Sequence, residues 1–179
     1  GWLGYDAVRD KCAPSAICLI CEIAAYAKDQ GISLYDYLLN IYKEFGFQRE
    51  TTINVVRPGK AGAEEIQQMM ANYRQNPPKE IAGEKVIRIK DYKSLVEKDF
   101  VDGEWREQPI TMALNATSNV LQFFTDGGLK VSVRPSGTEP KIKFYFEIPA
   151  DMPTTADYKA ATAAAEARVP AIKASLGLE

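Results

Sequence analysis

The chain has no histidine among its 179 residues. That excludes Ser-His and Cys-His nucleophile pairs and imidazole metal ligands together. Any chemistry here must rest on lysine, arginine, carboxylates, hydroxyls or backbone dipoles. Cysteine is scarce too, with three in the whole chain, Cys12, Cys18 and Cys21. An odd, clustered set is a poor disulfide framework. Cys18-x-x-Cys21 has redox and zinc spacing, but no second cysteine pair completes a four-ligand site. It lies within the apolar run Ala16–Ala25, where buried thiols act as small hydrophobes filling a core. Charge of neither sign dominates: 22 Lys and Arg face 24 Asp and Glu, for a net charge of −2 and a pI near 5.4. A broad basic face tracking nucleic-acid phosphates is not expected, although a small cationic pocket remains compatible with this balance. No apolar run reaches the roughly 18 residues of a membrane span, so no membrane partner is expected. The start at Gly1-Trp2-Leu3 shows no charged leader with an apolar core, and a cytoplasmic protein is the simplest expectation.

What remains is ordinary globular material, 46% hydrophobic and 26% charged. The length suits one domain plus a piece of another, or two small ones. Residues 1–50 read as two helices. The first spans about Ala13 to Lys28, is apolar nearly all round and ends before Gly31. Ser33 and Asp36 form a capping box for the second, with Leu34, Leu38, Ile41, Tyr42 and Phe45 as its stripe and Gly46 as its stop. Two short helices bury little on each other, so this segment reads as the tail of a domain whose sheet lies upstream.

Residues 51–179 read as a second domain. Thr51–Val56 is a β-branched strand closed by Pro58-Gly59. A helix follows over about Ala61–Arg74, with Glu64 and Glu65 placed in its first turn. Lys85–Lys90 is the next strand. Residues 91–117 lack periodicity and read as a long, partly ordered excursion. Asn119–Thr125 and Leu129–Arg134 flank Asp126-Gly127-Gly128, a strong hairpin signal. Ile142, Phe144, Phe146 and Ile148 alternate with Lys141, Lys143, Tyr145 and Glu147, the mark of a half-buried strand. Thr154 and Asp157 open a final helix that Pro170 should kink or split. The order β-α-β-β-β-β-α predicts an α+β domain, an antiparallel sheet with helices on one face.

Between two of those strands lies Arg134-Pro-Ser-Gly-Thr-Glu-Pro140. Each residue type has a use around a phosphate dianion. The Arg134 guanidinium grips two oxygens at once. Ser136 and Thr138 supply hydroxyl donors, and their amides are further candidates. Gly137 lets its own N–H approach the anion closely. Pro135 and Pro140 stiffen the loop ends. Lys143, on the strand face opposite the apolar row, adds a second cation. The plain alternative is a tight turn with a surface arginine, since Pro-Ser-Gly alone is common turn chemistry. The whole run in register at a hairpin exit is far more specific.

Val133-Arg-Pro-Ser-Gly-Thr-Glu-Pro-Lys-Ile-Lys-Phe-Tyr145 resembles the last domain of the α-D-phosphohexomutases, the phosphoglucomutase/phosphomannomutase family. Val8-Arg-Asp-Lys11 with the cysteine-rich helix is similar to the end of that family's third α/β domain. Asn76–Val86 also resembles the bacterial phosphoglucomutase branch. The resemblance covers nearly the whole chain but only about the C-terminal third of the family's length. It implies a TATA-binding-protein-like C-terminal domain after a helical tail of the third domain. The activity it implies is interconversion of hexose 1-phosphate and hexose 6-phosphate through a bisphosphate intermediate. A phosphoserine and a Mg2+ site would lie in the missing N-terminal domains, so this part alone should be inactive. The phosphosugar would be a glucose or mannose phosphate. By the same resemblance Arg134, Ser136, Gly137 and Thr138 hold substrate phosphate, and Lys143 matches a nearby basic ligand. Lys11 matches a lysine proposed as general acid/base, with Arg9 beside it as a substrate contact. Cys12 departs from the family, which has an acidic residue or glycine there. The competing reading is a non-catalytic phosphate-binding module built on the same loop. Nucleic-acid binding across the sheet is disfavoured by the acidic pI and by a lack of exposed basic–aromatic strands.

Overall fold

The computed structural model describes residues 11–110 and 117–178. Packing divides the chain into two compact units. One runs up to Gly46 and includes Met152–Tyr158, and the other comprises Phe47–Asp151 and the residues from Lys159 onward.

In the first unit, α1 (Ala13–Asp29) and α2 (Leu34–Phe45) form a short helical pair. Ser33 caps α2 as its sequence predicts. Its hydroxyl accepts from the Asp36 amide at 3.1 Å, and the Asp36 carboxylate accepts from the Ser33 amide at 3.1 Å. Tyr26 and Tyr37 meet edge to face at 5.8 Å between ring centroids. The expectation of buried thiols does not hold, because Cys12, Cys18 and Cys21 are all exposed. So are Ile17, Ile20, Leu34, Leu38 and Phe45. A helix that packs against one short neighbour covers only one stripe of its surface, and here the buried residues are Ala27 of α1 and Leu39 of α2.

The second unit is built on an antiparallel sheet. Its strands are β1 (Phe47–Val56), β2 (Glu80–Ile81), β3 (Glu84–Asp91), β4 (Val96–Val101), β5 (Glu104–Pro109), β6 (Leu121–Thr125), β7 (Lys130–Pro135) and β8 (Lys141–Ala150). They lie in the order β1-β8-β7-β6-β3-β4-β5, with β2 paired to β3. Helices α3 (Gly59–Gln75), α4 (Tyr158–Ala167) and α5 (Val169–Ser175) complete it. The α+β class with helices on one face is as the sequence predicts.

Alternation decides which face is covered. Ile142, Phe144, Phe146 and Ile148 of β8 are fully buried with Val131 and Val133 of β7 and Phe123 of β6. They share one core with Ile66 and Met70 of α3, Ala165 of α4 and Ile172 of α5. Each of these Val, Ile, Phe and Met side chains contributes about 1.5–3 kcal/mol of transfer free energy. Lys141, Lys143, Tyr145 and Glu147 point to the other, uncovered face. The hairpin joining β6 to β7 is closed by Asp126-Gly127-Gly128. Gly128 takes φ 83°, a left-handed conformation that glycine adopts without a Cβ penalty. Pro170 splits the final helix, since α4 ends at Ala167 and α5 begins at Val169.

Two expectations are corrected here. Much of 91–117 is a regular hairpin rather than a loose excursion. β4 and β5 pair from Val96–Pro109 through to Val101–Glu104, and residues 111–116 lie outside the described set. Glu64 and Glu65 fall beyond the first turn, because α3 starts at Gly59. Glu65 instead pairs with Arg57 at 2.7 Å.

Candidate functional site: an anion clamp between two strands

The site follows from the register of β7 and β8. Arg134 stands directly opposite Lys143, and Pro135 opposite Ile142, leaving residues 136–140 to turn the chain. Pro135 and Ile142 are buried, so Arg134 and Lys143 necessarily emerge on the uncovered face. Two cations are thus held side by side at the base of the turn. Neither is in an ion pair among the described residues.

The turn is fixed by its own hydrogen bonds. The Ser136 amide donates to the Lys141 carbonyl at 2.8 Å, and the Lys141 amide donates to the Glu139 carbonyl at 2.7 Å. Ser136 Oγ accepts from the amides of Thr138 and Glu139 at 3.4 and 3.3 Å. The Arg57 amide donates to the Pro140 carbonyl at 2.9 Å, tying the turn to the end of β1. The amides of Ser136 and Thr138, considered from sequence as anion donors, are therefore engaged within the loop. Donors left for a ligand are the Arg134 guanidinium, the Ser136 and Thr138 hydroxyls, the Gly137 N–H and Lys143 Nζ. An added Cβ on Gly137 would meet nothing within 4 Å, so the space above its backbone is open.

These groups line a concavity of about 310 Å³ formed by Arg134, Pro135, Ser136, Gly137, Thr138, Lys143 and Tyr145. Arg134, Ser136, Gly137, Thr138 and Lys143, singled out from sequence, thus come together in one place. Glu139 tempers the positive charge. Its carboxylate lies 2.5 Å from Lys141 Nζ, and that hydrogen bond, helped by the charges of Lys141 and Lys143, holds it below the usual carboxylate range. Tyr145 is the lining residue that sequence reasoning left unremarked. Its alternation with Phe144 and Phe146 was the available signal, since it places Tyr145 on the Lys143 face.

Of the remaining two candidates, one is among the described residues. Lys11 is exposed just before α1, in the first unit. Arg9 lies outside the described residues. The uncovered face does carry a basic–aromatic group, contrary to expectation. Lys90 and Lys130 approach the Phe124 ring at 5.8 and 5.9 Å. Both are paired with carboxylates, Lys90 with Glu97 at 3.0 Å and Lys130 with Glu147 at 2.8 Å, while Lys85 Nζ lies 3.7 Å from the centroid of the Phe100 ring. No described helix is long and apolar enough to cross a membrane.

An antiparallel α+β domain thus gathers cations and hydroxyls on one strand–turn–strand, a set of groups suited to a small anion. Comparison with known proteins makes this specific. The profile of the family described as phosphoglucomutase/phosphomannomutase, C-terminal domain, matches residues 53–165, and the chain belongs to that family. It is 36% identical over 151 residues to a phosphoglucomutase of Staphylococcus haemolyticus (strain JCSC1435), covering 84% of this chain and 26% of that protein. It is 37% identical over 149 residues to a phosphoglucomutase of Staphylococcus aureus (strain N315), with 83% and 26% covered. The fold is similar to that of the exocytosis-sensitive phosphoprotein pp63/parafusin, a phosphoglucomutase from Paramecium in its open form. The TM-score is 0.59 at 21% identity, over 98% of this chain and 28% of that one. The chain spans about a quarter of the length of the curated relatives it matches.

Proposed function

We propose that this chain is the substrate-phosphate-binding part of a phosphohexomutase that interconverts hexose 1-phosphate and hexose 6-phosphate through a bisphosphate intermediate. The observation that carries the reading is the opposition of Arg134 and Lys143 beside a turn that leaves the Gly137 N–H and the donor hydrogens of the Ser136 and Thr138 hydroxyls for a ligand. Two cations and several neutral donors suit a phosphate dianion, with Arg134 in bidentate contact and Lys143 as a point charge. In this reading the clamp's cations and hydroxyls bind the ligand rather than react with it. Its task is to hold the phosphate that is not reacting while chemistry occurs at the other end of the sugar, which converts binding free energy into orientation.

Magnesium, in this reading, is held by residues outside this chain. The clamp's two cations, Arg134 and Lys143, would repel a divalent cation. Phosphoserine chemistry likewise belongs to domains beyond this one, with Lys11 and Arg9 supplying contacts from the preceding segment. A cytoplasmic location accords with action on phosphosugars.

The test has two parts. Titration of the chain with inorganic phosphate, glucose 1-phosphate and glucose 6-phosphate should shift the amides of 134–143 in NMR spectra, with sugar phosphates preferred. Shifts by phosphate alone, with no sugar preference, would favour a non-catalytic anion-binding module. In the whole enzyme Arg134→Ala should lower kcat/KM by about tenfold or more, and an unchanged kcat/KM removes the clamp from the mechanism.

A further inference from the structure

We infer that Tyr145 is the sugar-facing residue of the clamp, the side chain that makes it read a phosphosugar rather than free phosphate. This rests on the phosphosugar reading above. Tyr145 sits on β8 two residues beyond Lys143 and on the same face. It is paired in register with Ser132 of β7 and Thr52 of β1. Tyr145 lines the clamp concavity and also a neighbouring groove of about 660 Å³ that includes Gln122, Lys130, Ser132 and Glu147. Tyr145 is therefore the residue that the two spaces share.

Three polar side chains of that groove beside the ring, Gln122, Lys130 and Glu147, are already committed. Gln122 donates to Ser132 Oγ at 3.0 Å and accepts from the Tyr92 hydroxyl at 3.0 Å. Lys130 is paired with Glu147. Tyr73 and Tyr92 each place their hydroxyl on a partner, Leu176 O and Gln122 Oε1 respectively. The Tyr145 hydroxyl has none among the described residues. Among the described residues it is the uncommitted polar tip on the one aromatic side chain lining the clamp. A sugar offers apolar C–H faces and hydroxyls within a few ångströms of its ester oxygen. A tyrosine ring packs on the former, and its hydroxyl exchanges a hydrogen bond with the latter. Inorganic phosphate, satisfied by Arg134, Lys143 and the turn, has no use for either feature.

The experiment titrates the unaltered chain, Tyr145→Phe and Tyr145→Ala with inorganic phosphate, glucose 1-phosphate and glucose 6-phosphate, read by amide shifts of 134–143. Tyr145→Phe should leave phosphate affinity within about twofold and weaken at least one glucose phosphate by about three- to tenfold, the value of one hydrogen bond. Tyr145→Ala should weaken it further by removing the ring. Tyr145→Phe keeps the volume and so controls for a folding defect in the alanine variant. Equal losses for phosphate and sugar phosphate, or unchanged sugar-phosphate affinity in both variants, overturn the inference and leave the clamp standing. If the unaltered chain binds none of the three ligands, the clamp reading itself fails and the inference with it.

Discussion

Lys143→Met separates the clamp's ligand affinity from the stability of the sheet that carries it. In the ligand-free protein Lys143 lies directly across from Arg134. Like charges in directly opposed sheet positions cost roughly 0.2–1 kcal/mol, and the exposure of Arg134 places the pair toward the lower end of that range. Attraction between Glu139 and Lys143 offsets part of it. Lys143→Met keeps the aliphatic stem and removes the charge, so the ligand-free variant should be more stable by a few tenths of a kcal/mol. Phosphate reverses the order. A charge-assisted hydrogen bond contributes about 1.5 kcal/mol at the low end of its range, close to a tenfold change in affinity. At a phosphate concentration near 100 times the dissociation constant, binding stabilises the folded chain by about 2.7 kcal/mol, and a tenfold weaker variant gains only about 1.4 kcal/mol. Urea unfolding with phosphate, against chloride at matched ionic strength, measures both quantities. The unaltered chain should respond more strongly to phosphate and the variant should be no less stable without it. A variant that is destabilised without ligand and gains as much from phosphate would refute the clamp geometry.

Tyr73 gives a pH-dependent prediction. Burial pushes its hydroxyl up to about 12, against an ordinary value of about 10. Its neutral form is thus favoured by folding, a contribution fully present below about pH 10 and lost as pH rises through about 12. The linkage limit of about 2.7 kcal/mol falls to about 1–2 kcal/mol after allowance for partial exposure. Urea unfolding of the unaltered chain and Tyr73→Phe between pH 9 and 12 (roughly, bracketing both values) should show the difference between them shrinking as pH rises, and parallel curves would contradict it. Gly127→Ala should destabilise the second unit by about 1–3 kcal/mol. The new Cβ would lie 2.3 Å from the Glu84 carboxyl carbon, and that carboxylate accepts from Thr125 Oγ1 and Arg168. A thermal midpoint equal to that of the unaltered chain would mean the turn can shift away. The Cys12 thiol is lowered by its hydrogen bonds with Ser15. Its alkylation by iodoacetamide, followed by peptide mass spectrometry, should therefore have a midpoint below the ordinary thiol value of about 8.5. A midpoint at or above that value would show that Ser15 has no effect on it.

What could be read from the sequence, and what could not, follows from how local each signal is. Ser33 with Asp36, and Asp126-Gly127-Gly128, specify their structures through bonds and dihedral angles spanning three or four residues, so the chain carries them openly. The β8 alternation is equally local and orients Lys143 and Tyr145 correctly. The β4–β5 hairpin escapes because its outer strand is exposed throughout. With no buried face there is no two-residue apolar period, and charged residues paired across the strands look from sequence like a loop. The cysteines of α1 mislead for the opposite reason. An apolar helix reads as buried, but burial is set by what packs against it, and only a stripe of α1 meets a neighbour.

The clamp combines both kinds of signal. Its anion-binding part is legible because nearly every donor lies within Arg134–Thr138, and a turn that must expose hydroxyls, one amide and an arginine constrains consecutive residues. Lys143 is legible only once the strand alternation is assigned, and its opposition to Arg134 depends on the β7–β8 register. Tyr145 needs more still: that register, the commitment of Gln122 and Lys130 to other partners, and the meeting of two concavities at one residue. Selectivity in this site is therefore less visible in the sequence than affinity. A dianion can be held by one short stretch of chain, whereas a sugar attached to it would have to be read by a residue whose position is set by three strands together.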